Sequence, residues 1–278
     1  MRDSDPFVPV TDTIPSDPLS YAVDRRDQGV LKMVRDALSS NRTQLAFQPV
    51  VYNTDPRRVA FYEGLIRIID PTGRPIPAHQ FMPAVEATEI GREIDVEALR
   101  HGLVALRNDA SLRLAVNMSA RSIGYGPWRR VLDDGLARDR HIGERLILEI
   151  TESSAMLMPE IVIAFMAELQ DLGIAFALDD FGAGYTAFRY LRDFYFDILK
   201  IDQDFINGVH ESADNQVLVE ALVSIGRHFD MFTIAEGVET AEDAEFLAGV
   251  GIDCIQGFYY GPPRLSAPGY GAEHLESA

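Results

Sequence analysis

The feature that most constrains this chain is a ladder of short apolar runs at 45–51, 59–68, 112–116, 146–150, 174–178, 196–201, 231–235 and 252–255. Amphipathic helical patterns lie between most of them. Val30, Leu31, Val34, Ala37 and Leu38 recur at helical spacing, as do Ile161, Phe165, Leu169 and Leu172. Val217, Leu218, Ala221, Leu222 and Ile225 predict a further helix face, and the stretch 239–247 opens with acids, as a helix N-terminus prefers. Strands alternating with helices imply a parallel sheet, and eight of them predict an α/β fold, a TIM-like (β/α)8 barrel. Only "YNTDPRR" separates the first two runs, too little for a parallel crossover. The expectation is therefore a barrel with one antiparallel strand.

Each run carries a polar residue at or near its end. Gln48 lies in the first, Glu63 in the second, Asn117 closes the third and Glu149 lies in the fourth. Asp179 and Asp180 end the fifth, Lys200 is in the sixth, Glu236 ends the seventh and Gln256 the eighth. Barrel enzymes keep their chemistry at the carboxyl ends of the strands, so these groups should converge on one mouth. Each has a bland reading: Asn117 as a helix cap, Glu149 in a capping network with Thr151, Lys200 stretching to solvent along its stem. Taken together, five acids and an Asn need more counter-charge than one lysine supplies. All-oxygen ligands point to Mg²⁺ or Mn²⁺.

Composition closes off other classes. A net charge of −18 over 278 residues argues against binding a DNA or RNA duplex or an anionic membrane surface. No apolar run reaches the roughly 20 residues of a membrane span. The only cysteine, Cys254, sits in an apolar run and reads as a buried, inert thiol, which suits a cytoplasmic protein. The six histidines lie outside the strand-end set, which disfavours zinc. There is no Gly-Lys-Ser/Thr phosphate loop and no serine-hydrolase elbow. Residues 1–24, rich in Pro, Asp, Ser and Thr, read as a disordered leader or linker remnant, 25–264 as the domain, and 265–278 as a tail.

In order along the chain, "QPVV", "YEGLIR", "VNMS", "LEITES", "LDDFGAGY", "FDILKID", "AEGVET" and "IQGFYYGPP" resemble the EAL domain family, the phosphodiesterases that linearise cyclic di-GMP. The resemblance runs from about Val30 to Pro263 and implies a barrel with two divalent cations at its mouth. It implies that Glu63, Asn117, Glu149 and Asp179 hold one cation and that Asp179, Asp180 and Glu236 hold the other. Lys200 would orient the attacking water and Glu236 would accept its proton, with Glu63 also counted in the catalytic set. Gln48, Leu65, Arg67, Asp202, Gln256 and Pro263 would contact the substrate, and Glu152 and Glu239 would brace the loop after the fifth strand. Ca²⁺, larger and less polarising, is expected to inhibit, and the resemblance further implies that the domain forms a homodimer. The sequence departs from the family at Gly64, where the name has Ala, at Ala183 and Ala187, which replace Thr and Ser, and at Tyr195, which replaces Pro. The alternative readings are a catalytically weak cyclic di-GMP receptor or a protein-interaction module.

Overall fold

The structure is a computed structural model that describes residues 18–182 and 191–266. Nine strands form one sheet: β1 (Thr43–Tyr52), β2 (Asp55–Ile69), β3 (Pro75–Pro77), β4 (Leu114–Asn117), β5 (Leu146–Thr151), β6 (Ala175–Phe181), β7 (Ile198–Ile201), β8 (Phe232–Ala235) and β9 (Cys254–Ile255). Their order is β1-β9-β8-β7-β6-β5-β4-β2-β3, and β1 also pairs with β2, so eight strands close into a barrel. β1 is antiparallel to both of its neighbours, whereas β2 and β4 to β9 run parallel. The expected irregular barrel is what forms, because the tight β1–β2 connection permits only a hairpin.

β3 lies outside the barrel, antiparallel to the end of β2, and the apolar-run reading missed it. It is three residues long with proline at both ends, a composition tolerated only at a sheet edge.

The helices α1 (Pro18–Ser39), α2 (Glu89–Asn108), α3 (Gly126–Arg138), α4 (Pro159–Gln170), α5 (Ala213–His228) and α6 (Ala241–Val250) surround the barrel. The outward faces of the strands pack against them. Phe176 of β6 meets Phe165 of α4 edge-on at 6.0 Å, and Phe165 meets Trp128 of α3 at 5.7 Å. On α5 the expected apolar face is out of phase. The residues buried are Val219, Leu222, Val223 and Gly226, while Val217 and Leu218 are exposed. Gly226 sets this rotation: a Cβ there would lie 2.4 Å from Thr233 Cγ2, so only a glycine face can press this close to β8.

Inside the barrel the strand period of two builds a layer and a floor. Val50, Phe61, Ala115, Ile147, Ala177, Ile198, Ile234 and Cys254 form one buried apolar cluster, one residue per strand. Two positions from each, towards the mouth, stand Gln48, Glu63, Asn117, Glu149, Asp179, Lys200, Glu236 and Gln256. The floor excludes water from beneath the polar ring. It also holds Cys254, whose thiol burial pushes up to about 12, as inert as expected.

Candidate active site

The polar ring is joined by direct contacts. Asn117 Nδ2 donates to Glu63 Oε1 at 2.8 Å, and Gln256 Nε2 donates to Glu63 Oε2 at 2.6 Å and to Gln48 Oε1 at 3.3 Å. The Lys200 ammonium lies 2.7 Å from Glu236, 2.8 Å from Asp179, 3.0 Å from Glu149 and 3.6 Å from Glu63. Lys200 and Glu149 are both fully buried. The bland readings therefore fail. Lys200 does not reach solvent, Asn117 points at Glu63, and Ser119 and Thr151 are the caps of the two following turns.

The adjacent aspartates are explained by the backbone. The β6–β7 register breaks between Leu178 and Phe181, and Asp180 adopts φ +53°. Aspartate tolerates this left-handed conformation better than most residues. The kink brings both carboxylates to one side, and Asp179, Asp180 and Glu236 offer oxygens that all lie within 4.8 Å of one another.

One cation cannot satisfy so many buried acids. Burial would lower the Lys200 pKa, but Asp179, Glu149, Glu236 and Glu63 hold it well above the usual lysine value. An isolated ion pair would move its carboxylate down, yet burial lifts Glu149 and Glu236 well above the usual range, Lys200 offsetting only part of it. Burial also opposes ionisation of Glu63, but Lys200 and hydrogen bonds from Gln256 and Asn117 bring its pKa below the ordinary value. Asp180 is raised to about 6 by partial desolvation and by Asp179. Burial thus works against ionising Glu149 and Glu236, and further positive charge beside them would favour their charged forms. Glu149 Oε1 accepts no hydrogen bond, and Asp179 Oδ1 has only the Lys200 ammonium, outside hydrogen-bond geometry. Orphaned buried oxygens and a three-carboxylate pocket fit hard divalent cations such as Mg²⁺ or Mn²⁺.

Above the ring opens a cleft of about 780 Å³, lined by Gln48, Glu63, Leu65, Asn117, Asp179, Asp180, Asp202, Glu236, Glu239 and Gln256 among the expected residues. Arg67 and Pro263 are not on its wall; the Arg67 guanidinium donates to the Ile66 carbonyl at 3.0 Å. Asp202 caps the turn Gln203–Ile206 by accepting from Asp204 N at 2.8 Å. Gly237, at φ +68°, lets the loop after β8 press on that turn, since a Cβ there would meet Gln203 Cβ at 2.6 Å. Glu152 accepts from Gly182 N at 3.2 Å, a contact to the start of the loop it was expected to brace. The rest of that loop, with Ala183 and Ala187, lies outside the described residues.

Sequence reasoning missed several wall residues, chief among them Asp95 and Arg121. Asp95 is buried on α2, where its Oδ2 accepts from Ser119 N at 3.0 Å and Ser122 Oγ at 2.6 Å. Burial lifts its pKa to about 7 against those two bonds. The available signal was an acid beside Ile94 and one turn before Ala98 and Leu99, on the helix's apolar face. Arg121 had no signal beyond standing four residues after Asn117.

A closed barrel of eight strands, mostly parallel, with oxygen ligands gathered at its carboxyl mouth defines a TIM-like barrel with a candidate metal centre. The family model for the EAL domain matches residues 31–263, and the chain belongs to that family. Among its relatives is MucR of Pseudomonas aeruginosa, named a bifunctional diguanylate cyclase/cyclic di-GMP phosphodiesterase. It is 33% identical over 239 residues, which are 84% of this chain and 35% of MucR. The cyclic di-GMP phosphodiesterase PdeB of Shewanella oneidensis is 29% identical over 239 residues, 83% of this chain and 28% of PdeB. The chain thus spans about a third of the length of the curated relatives it matches. The solved PaMucR phosphodiesterase, a c-di-GMP complex, superposes with a TM-score of 0.75 at 33% identity, covering 86% of this chain and 98% of that one. The FimX EAL domain from Pseudomonas aeruginosa, bound to c-di-GMP, is alike in fold, with a TM-score of 0.77 at 24% identity and 86% and 97% coverage.

Proposed function

We propose that this domain hydrolyses one phosphodiester bond of cyclic di-GMP, opening it to linear pGpG. The observation that carries the reading is the complete ring, in which Glu63, Asn117, Glu149, Asp179 and Glu236 stand around Lys200 with Asp180 at the rim. The names of the relatives, and the complex formed by the 33%-identical PaMucR domain, support the substrate. Glu63, Asn117, Glu149 and Asp179 would hold one divalent cation, and Asp179, Asp180 and Glu236 a second. Such ions, when bound, supply Lewis-acid activation of a water and neutralise the phosphate. Lys200, fixed by four carboxylates, would orient that water and offset charge on the phosphorane oxygens. Glu236, whose pKa burial raises, would once ionised take the water's proton on a side-chain oxygen. Gln48, Leu65, Asp202 and Gln256 would hold the nucleotide in line.

A receptor that binds without cutting is the alternative, and family degeneration would show as a missing ligand or lysine; every one is present. We place the domain in the cytoplasm, as a homodimer, and light scattering checks the latter. The deciding experiment incubates the chain with cyclic di-GMP and Mg²⁺ and follows products by chromatography. The expected product is pGpG, with none formed in excess EDTA. Tight binding with unchanged nucleotide would leave the receptor, and no binding at all would leave the interaction module.

A further inference from the structure

The cleft is strongly acidic. Glu63, Glu86, Asp95, Asp179, Asp180, Asp202, Glu236 and Glu239 line it, against only two basic side chains among the described residues, His79 and Arg121. A cyclic dinucleotide carries two phosphodiesters, each with a full negative charge. The candidate metal centre serves only one of them. The second must enter the same acidic cleft, where an uncompensated anion is costly.

We propose that Arg121 is the counter-cation for the second, uncut phosphate, an inference that rests on the substrate proposed above. Arg121 is exposed, and its side chain forms no ion pair among the described residues. Its backbone is held from three sides. Ser119 N and Ser122 Oγ both donate to the buried Asp95 of α2. Ala120 N donates to Ser154 Oγ, in the turn after β5, at 2.8 Å. Ser119 Oγ also accepts from Arg121 N at 3.2 Å. A planar fork on a pinned turn, with no carboxylate of its own, suits a phosphate better than a salt bridge. Arg121 thereby selects substrates with two phosphodiesters over those with one, while the reacting end of the site stays as it is.

The test compares wild type with R121A and R121K on cyclic di-GMP and on bis(p-nitrophenyl) phosphate, which has a single phosphodiester. Losing one charge-assisted contact should raise KM for cyclic di-GMP roughly tenfold in R121A with kcat little changed. R121K should recover part of the loss, and kcat/KM for the single phosphodiester should stay within about twofold. Equal losses on both substrates, or none on either, would overturn the role. Calorimetric binding of cyclic di-GMP separates this inference from the hydrolase reading. If wild type binds without cutting, R121A must still bind roughly tenfold more weakly. If R121A binds equally well, or wild type does not bind at all, Arg121 has no such role.

Discussion

Lys200 sits fully buried where four acids meet, and those acids hold its pKa up, so it acts as a fixed positive centre between groups that would otherwise repel. Replacing it by methionine keeps the volume and leaves Glu63 and its neighbours uncompensated. Without divalent cations, Lys200→Met should cost on the order of 3 kcal/mol, the range for one partner lost from a buried ion pair. Added Mg²⁺ should then raise its urea midpoint more than that of wild type. Turnover should vanish while nucleotide binding persists, which calorimetry on the variant checks; retained turnover would refute the assigned role. Gly64 is a gentler case. An alanine Cβ there would lie 3.1 Å from Leu45 Cδ1 and 3.2 Å from the Ala115 carbonyl oxygen. The leucine tip can yield but the carbonyl less so, and alanine relieves glycine's entropic cost by about 0.5–1 kcal/mol. Gly64→Ala should therefore change stability by less than about 1 kcal/mol and turnover by less than about twofold. A large loss in either would mean that the departure from the family is compensated elsewhere.

At the level of elements, the loops after β7 and β8 are tied by one buried acid. Asp243, near the start of α6, accepts from His210 Nδ1 at 2.7 Å, Thr240 Oγ1 at 2.7 Å, His210 N at 3.2 Å and Gly208 N at 3.3 Å. The Asp243 bond, then the charges of Asp243, Glu211 and Glu242, raise the His210 pKa against some desolvation. Burial opposes ionisation of Asp243, but His210 and Thr240 bring its pKa below normal. A raised histidine contributes stability that is complete below its unfolded pKa, about 6.5, and is lost as pH rises through the folded value. The depressed aspartate contributes above its own unfolded pKa and fails as pH falls through the folded one. His210→Gln should thus lower the melting temperature most below the unfolded histidine pKa of about 6.5, and the gap should shrink as pH rises through the raised folded value. A gap that stays constant with pH would show that only packing was lost.

How much of this was legible follows from the same elements. The eight runs, the antiparallel first pair and the polar strand ends could all be read, because a period of two and a seven-residue connection leave few topologies. The pairing of apolar floor and polar ring, visible in "LAVN", "LILE", "FALD" and "TIAE", was open to reading but unread. The α5 face was misjudged because the absent side chain of Gly226 carries no hydropathy. Which carboxylate meets Lys200 depends on register across six strands, and Asp95 needed the turn at Ser119 brought against α2. Those are facts of packing between distant segments, which local pattern does not encode.

For the whole molecule, on the function proposed above, the surplus of acids should make cations a condition of cyclic di-GMP binding. The net charge is −18, and the cleft concentrates it. Mg²⁺ or Mn²⁺ should support both binding and turnover. Ca²⁺, which prefers longer bonds of about 2.3–2.6 Å and polarises water less, should allow binding with little chemistry. Turnover in Ca²⁺ equal to that in Mg²⁺ would count against a geometry set by small cations. Salt should act in the direction opposite to its effect on most nucleotide-binding surfaces. A dianionic ligand approaching an anionic protein would be repelled over distances beyond contact, even with two dications held at the proposed centre. At about 10 mM ionic strength the Debye length is about 30 Å, roughly the size of a small domain, and at 0.15 M it falls to about 8 Å. Raising NaCl between those limits at saturating Mg²⁺ should therefore speed association of cyclic di-GMP, whereas a surface steered by clustered lysines would slow it. Contacts at the proposed metal centre and at Arg121 would form after encounter, so dissociation should change less. Stopped-flow association rates across that salt range decide the matter. A rate that falls with salt would mean that local positive potential at the mouth, and not the net charge, governs the approach.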